Sequence, residues 1–142
     1  MSEYGIYFPE GDNPDNIGLL PLPAADDVTA MTHFMQEHVN GFFEICSPAP
    51  QLTLPRRAVM VLNDEGKLEH SGCEYNQCAS WIYNNGCYGR PNYDPLFGPV
   101  LLLNTRMTED GPTCCGWPKE TAQQLLKAIQ FEIAVTEMIN NA

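Results

Sequence analysis

Basic side chains are scarce in this chain, and their scarcity argues against direct binding of nucleic acid. Seven lysines and arginines stand against eighteen aspartates and glutamates, giving a formal net charge of −11. Binding to nucleic-acid phosphates needs clustered Lys and Arg, and Arg56-Arg57 is the sole adjacent basic pair. We therefore expect no direct nucleic-acid contact. The acidic surface serves solubility, or it favours basic partners such as proteins that themselves bind DNA.

Long apolar runs and a secretory leader are also missing. The run from Val100 to Leu103 is far too short to cross a bilayer, and no basic segment followed by an apolar one opens the chain. We expect a cytoplasmic protein, in the cytosol of a host cell, without membrane contact. Its six cysteines would be mostly reduced there, so a disulfide scaffold is not expected.

The sequence contains no familiar catalytic motif. Neither Gly-x-x-x-x-Gly-Lys nor Gly-x-Gly-x-x-Gly occurs, and no serine sits in a Gly-x-Ser-x-Gly turn. The acidic pairs Asp26-Asp27, Asp64-Glu65 and Glu109-Asp110 fall at caps or turns, where acids are common. These observations favour a binding protein over an enzyme, with no cofactor.

One segment concentrates possible zinc ligands. His70, Cys73, Cys78 and Cys87 lie close together in the sequence, and Cys114-Cys115 follow later. Structural zinc sites present two closely spaced ligand pairs, and here only His70 and Cys73 make such a pair. We therefore predict no metal, with these four residues as the weak candidates. A small zinc-binding or hydrolytic enzyme that uses His70 and nearby cysteines is the alternative.

Aromatic residues and an arginine cluster after residue 80, and they suggest a ligand site. Aromatic stacking holds nucleobases, and an arginine can bind a phosphate. The same residues could instead pack a turn-rich loop onto the domain. The predicted ligand-binding residues are Trp81, Tyr83, Tyr88, Arg90 and Tyr93.

Apolar spacing and cap residues predict alternating strands and helices. Asp26-Asp27 should cap a first helix that ends at Asn40-Gly41, and Asn76 should cap a short helix that reaches Tyr83. Strands are predicted at residues 6–8, 42–45, 58–62, 67–69 and 97–104, with a loop at 106–116.

This order predicts a single α+β domain. A mixed sheet of four or five strands would carry the helix after the first strand region and a long C-terminal helix, with the helices over one face. Residues 1–25 are expected to form an N-terminal arm and the first strand region. Residues 26–142 are expected to form the α+β core with the C-terminal helix.

The C-terminal helix, predicted from Pro118 to Ile139, carries two apolar stripes. Leu125, Ile129 and Ile133 form one with Leu126, whereas Phe131, Val135 and Met138 form the other. Two stripes exceed what one sheet face needs. Either the helix is deeply buried, or residues 118–140 form a seam for a homo-oligomer or another partner.

Three pieces of the chain resemble a family of small phage and plasmid proteins called domain of unknown function 3846. The pieces are the helix-to-strand run 39–44 (VNGFFE), the strand and turn 61–68 (VLNDEGKL), and the short helix start 76–80 (NQCAS) with the later strand 97–100 (FGPV). The resemblance implies a small mixed α/β domain carried on mobile elements, and it brings no assigned activity or catalytic residues. The loop at 84–95, the cysteines and the C-terminal helix depart from the pattern.

Together these features predict a non-enzymatic binding protein of a phage or other mobile element. It would occupy a host protein, or sequester a small nucleotide-like ligand held by the aromatic cluster and Arg90. Counter-defence is one role that such binding would serve.

Overall fold

The computed structural model describes residues 2–24, 26–86 and 91–141, which contain six strands and three α-helices. The strands are β1 (Tyr4–Phe8), β2 (Gly18–Pro21), β3 (Phe43–Cys46), β4 (Val59–Asn63), β5 (Val100–Thr108) and β6 (Gly111–Cys115). The helices are α1 (Val28–His38), α2 (Gln77–Tyr83) and α3 (Lys119–Asn140). Two short 3-10 turns cover Pro14–Asn16 and Glu69–Ser71.

All six strands join one sheet, and the predicted α+β class is confirmed. The strand order is β2-β1-β5-β4-β3, with β6 paired to the far end of β5. Every one of these pairs is antiparallel, whereas a mixed sheet of four or five strands was expected. β1 and β2, which come from the predicted N-terminal arm, are therefore strands of the sheet itself.

Side chains of the central strands alternate between two apolar layers. Val100 and Leu102 of β5 pack with α2 and α3 in one layer, whereas Leu101 and Leu103 pack with α1 in the other. The prediction that the helices cover one face was wrong. A central strand that is apolar at every position needs cover on both sides, and the helices divide to provide it.

Local capping signals place α1 and α2 as predicted. The Asp27 carboxylate accepts a hydrogen bond from the Ala30 backbone N–H at 3.0 Å, and the helix ends where Asn40 and Gly41 adopt positive φ angles of 65° and 146°. Asn76 caps α2 by accepting from the Ala79 N–H at 3.1 Å. Short polar side chains before an apolar run satisfy the first unpaired N–H groups of a helix.

Two predictions between these elements were wrong. Residues 67–69 form no return strand, because β4 already has β5 and β3 on its two edges; Glu69 instead begins a 3-10 turn. The predicted loop at 106–116 is mostly a hairpin, in which β5 runs on to Thr108 and turns tightly into β6 at Gly111.

α3 starts at Lys119, directly after Pro118, and buries one of its two stripes. Leu125, Ile129 and Ile133 lie in the core, whereas Phe131 and Met138 are 69% and 72% exposed. Spanning a bilayer requires a length and apolar character that neither α3 nor any other described helix has.

Candidate functional site

A groove lies beside the loop that leaves β3. Its volume is about 970 Å³, which suits a small-molecule ligand, since such pockets usually measure about 300–1,000 Å³. Ser47 to Arg56 form one wall, and Asn85 and Glu132 approach from the end of α2 and from α3.

Hydrogen bonds hold this wall against the end of α2. The Ala49 N–H donates to the Tyr83 carbonyl at 2.9 Å, and the Gln51 side-chain amide donates to the Ile82 carbonyl at 2.7 Å. Leu54 anchors the far end of the loop in the core. Pro48, Pro50 and Pro55 further restrict the loop backbone. The groove wall is therefore largely fixed before any ligand arrives.

A second cavity of about 420 Å³ adjoins the groove and shares Ser47, Ala49 and Asn85 with it. Tyr83, Asn92 and Asp94 line the rest, together with Asn84.

Asn84 holds the floor of this second cavity in place. Its amide donates to the Ser80 carbonyl at 2.7 Å and to the Asp94 carbonyl at 2.9 Å, and its side-chain oxygen accepts from the Asp94 N–H at 2.9 Å. Three bonds from one buried side chain thus join α2 to the loop that carries Asp94.

Arg56 is the basic residue among the described residues that line the groove. Its side chain makes no ion pair with any residue in the described ranges, whereas Lys67 pairs with Asp94 and Arg106 pairs with Glu3. Its guanidinium is exposed, and Arg57, Lys119 and Lys127 likewise make no ion pair among the described residues. The Arg56 guanidinium can attract an anion locally, and Glu132, an acid, lines the same groove.

The Tyr83 ring beside the second cavity is neutral near pH 7. Burial raises the pKa of its hydroxyl, and the neighbouring Cys46 adds to that shift. The pKa of the neighbouring Cys46 thiol is also raised, first by burial and then by Glu44. A neutral phenol ring offers an apolar stacking surface.

Comparison with known proteins finds no relative, so the groove is interpreted from its own residues. No protein-family model, no curated protein and no solved structure matches this chain. The likeness to domain of unknown function 3846 therefore stays a prediction from three short pieces of sequence.

The residues predicted to bind a ligand occupy different environments. Tyr83 lines the second cavity, whereas Trp81 lies in the core and lines neither cavity. Tyr93 is half-buried, and its hydroxyl lies 2.6 Å from that of Tyr75. Tyr88 and Arg90 lie outside the described residues.

The weak zinc candidates do not come together in the described part of the chain. His70 is exposed, with its Nε2 2.8 Å from a carboxylate oxygen of Glu65, and Cys78 is buried in the core. Cys73 is half-buried beside Gly98, and Cys87 lies outside the described residues. Within the described ranges, no three His, Cys, Asp or Glu side chains are grouped to hold a metal ion.

Sequence reasoning missed the loop from Ser47 to Arg56 as part of a site. Its prolines indicated only an irregular segment, because nothing in them shows which element the loop packs against. The available signal was Arg56-Arg57, the one adjacent basic pair, at the end of that loop.

Proposed function

We propose that this chain is a non-enzymatic binding protein that holds an anionic, nucleotide-like small molecule in the groove and its adjoining cavity. The observation that carries the proposal is Arg56, which lines a 970 Å³ groove without an ion-pair partner among the described residues. A phosphate accepts two parallel N–H bonds from a guanidinium, and this is a strong charge-assisted contact.

The second cavity offers a place for the base of the nucleotide. A base can stack on the neutral Tyr83 ring, and the Asn92 side chain lines the same space. Ser47 and Asn85, which belong to both cavities, would then contact the sugar. This placement puts the phosphate in the groove and the base against α2.

The first test is isothermal titration calorimetry of the purified protein with nucleoside mono-, di- and triphosphates and cyclic dinucleotides. Arg56→Ala should weaken the best binder by about tenfold to a hundredfold, because a charge-assisted hydrogen bond is lost. Arg57→Ala is the matched control: Arg57 is the adjacent exposed arginine and does not line the groove.

A second pair of variants tests the base contact. Tyr83→Phe keeps the ring and should retain binding, whereas Tyr83→Leu should lose most of it because a leucine offers no stacking face. The proposal fails if no nucleotide binds at millimolar concentration. It also fails if the matching nucleoside without phosphate binds as tightly as the nucleotide.

The biological setting that we propose follows from the sequence resemblance. A protein carried by a phage or other mobile element could sequester a host signalling nucleotide, and counter-defence would be one result. The net charge of −11 supports a second version, in which the chain occupies a basic site on a host protein. Complexes of that kind should weaken sharply between 0.05 and 0.3 M salt, roughly where the Debye length falls below 10 Å.

Self-association through α3 belongs to the same proposal. Phe131, Met138 and Ile139 leave an apolar stripe exposed on the outer side of the helix. Sedimentation velocity of the wild type against Met138→Glu tests it, because a charge within a packed helix seam should dissociate the oligomer.

A further inference from the structure

β3 forms one edge of the sheet, and the hydrogen bonds at its start show which backbone groups it leaves open. The strand order ends β4-β3, so β3 pairs with β4 on one side only. The Phe42 carbonyl accepts from the Asp64 N–H at 2.9 Å, and the pairing continues with Phe43 opposite Asn63 and Glu44 opposite Leu62.

Hydrogen-bonded and non-bonded pairs alternate along an antiparallel ladder. Because residue 42 bonds across to residue 64, residues 44 and 46 also direct their backbone groups toward β4. The N–H and C=O groups of Phe43 and Ile45 therefore point away from the sheet. Neither residue makes a backbone hydrogen bond outside the β3–β4 pair within the described ranges.

The side chains along this edge alternate in chemistry. Phe43 packs against the layer that contains α1, and Ile45 follows on the same face with 48% of its surface exposed. Glu44 is exposed on the opposite face and has no ion pair among the described residues. Phe42, just before the strand, is 75% exposed.

We propose that the β3 edge docks an extended peptide segment of a partner protein, and that this segment alternates apolar and basic residues. Such a segment would add a strand beside β3, with main-chain hydrogen bonds to Phe43 and Ile45. Its apolar side chains would lie against those two residues, and a Lys or Arg would lie opposite Glu44. Opposed side chains on neighbouring strands share a face, so this pairing matches apolar with apolar and positive with negative.

Charge complementarity selects this occupant over a second copy of the chain. Two β3 strands related by a twofold axis through Glu44 would place two carboxylates opposite each other, and each copy would bring a net charge of −11. A short edge with one acid also protects a sheet from random pairing. Protection alone does not account for the exposure of Phe42 and Ile45 beside the open backbone groups.

The test uses a fluorescein-labelled peptide with the core Lys-Val-Lys-Val-Lys, titrated by fluorescence anisotropy. N-methylation of both valines removes the N–H groups that face β3 and should abolish binding. N-methylation of the central and last lysines blocks only the outward amides and should leave affinity within about twofold, since those groups contact water. A Glu-Val-Glu-Val-Glu peptide should not bind.

Protein variants give the second arm of the test. Glu44→Lys should weaken the peptide by roughly fivefold to tenfold, because an attractive cross-strand pair becomes repulsive. Glu109 is another exposed acid, in the β5–β6 turn, so Glu109→Lys changes the net charge by the same amount and should have little effect. Ile45→Pro should also reduce binding, because it removes one N–H group that would bond to the peptide. The variant should still fold, since proline is tolerated on edge strands.

Three results would overturn the proposal. The first is no binding at millimolar peptide. The second is equal binding of the two N-methylated peptides, which needs no change in the protein and so does not depend on any variant folding. The third is self-association in sedimentation velocity that Ile45→Pro abolishes, which would assign the edge to a second copy of the chain.

Discussion

At the scale of single residues, Cys78 shows how burial changes the chemistry of a thiol. The side chain lies in the core at the start of α2, with 2% of its surface exposed. Burial raises its pKa to about 12, and the nearby acids Asp12 and Glu137 add to the shift. The thiol is therefore protonated and weakly nucleophilic near neutral pH.

This shift predicts a pH dependence of stability. The pKa of Cys78 is higher in the folded chain than in the unfolded chain, so the unfolded state releases its proton first as pH rises. The free energy of unfolding should fall between about pH 9 and pH 12, with up to about 1.4 kcal/mol per pH unit from this group. Urea titrations at several pH values should show a shallower decline for Cys78→Ala.

Alkylation gives an independent measurement of the same property. Iodoacetamide at pH 8 should modify Cys78 only after unfolding in urea, as followed by peptide mass spectrometry. Rapid modification of Cys78 in the folded protein would contradict the burial that the pH prediction assumes.

At the scale of elements, Asn76 joins a helix to two strands. Its side-chain oxygen caps α2, and its amide donates to the carbonyls of Phe8 at 3.0 Å and Gly98 at 2.9 Å. The residue is fully buried. One side chain thus holds α2 to the end of β1 and to the segment that enters β5.

Replacing the two helix caps, Asp27 and Asn76, by alanine should separate the stability that comes from capping a helix from the stability that comes from the bonds of Asn76 to Phe8 and Gly98. Asp27→Ala removes only an exposed cap and should cost about 1 kcal/mol of unfolding free energy. Asn76→Ala also removes one hydrogen bond from each of two carbonyls, those of Phe8 and Gly98, and should cost roughly 2–4 kcal/mol. Equal losses in urea denaturation would show that the bonds to Phe8 and Gly98 contribute nothing.

The elements that the sequence predicts well are those with local signals. The side chains of Asp27 and Asn76 indicate where two helices start, and the apolar run from Ala58 to Leu62 indicates a buried strand. The β5–β6 hairpin was missed although Asp110-Gly111 is a turn signal. Asn104, Thr105 and Arg106 end the apolar run where β5 becomes exposed.

The candidate site was predictable only in part, because only some of its residues belong to elements with local sequence signals. Tyr83 lies next to the cavity because it ends α2, and that helix was predicted. The wall from Ser47 to Arg56 depends on hydrogen bonds between residues far apart in sequence, such as Gln51 with Ile82. Bonds of that kind leave no periodic signal in the sequence.

At the scale of the whole molecule, charge is the dominant physical property. The net charge is −11, and among the described residues the ion pairs are Lys67–Asp94, Arg106–Glu3 and, when the histidine is protonated, His70–Glu65. Unpaired acids on a compact surface repel one another, and this repulsion opposes folding.

Salt should therefore stabilise the fold. Raising sodium chloride from about 0.02 to 0.3 M shortens the Debye length from roughly 20 Å to below 10 Å, so Tm should rise. Each kcal/mol gained corresponds to about 3–5 °C for a chain of this size. A triple variant at exposed acids (Glu37→Gln, Glu109→Gln, Glu137→Gln) should begin with a higher Tm and respond less to salt. A Tm that falls with salt would contradict the argument.

The strand order also governs when the sheet can assemble during synthesis. β1 is made well before β5, yet on its inner edge it pairs with β5, as Ile6 does with Leu102. On the ribosome, Ile6 and Phe8 therefore stay unpaired on this edge until β5 has emerged. Contacts this distant in sequence slow folding to the native topology. A translation product that stops before β5 would expose the apolar residues of the β1–β2 hairpin to chaperones and proteases.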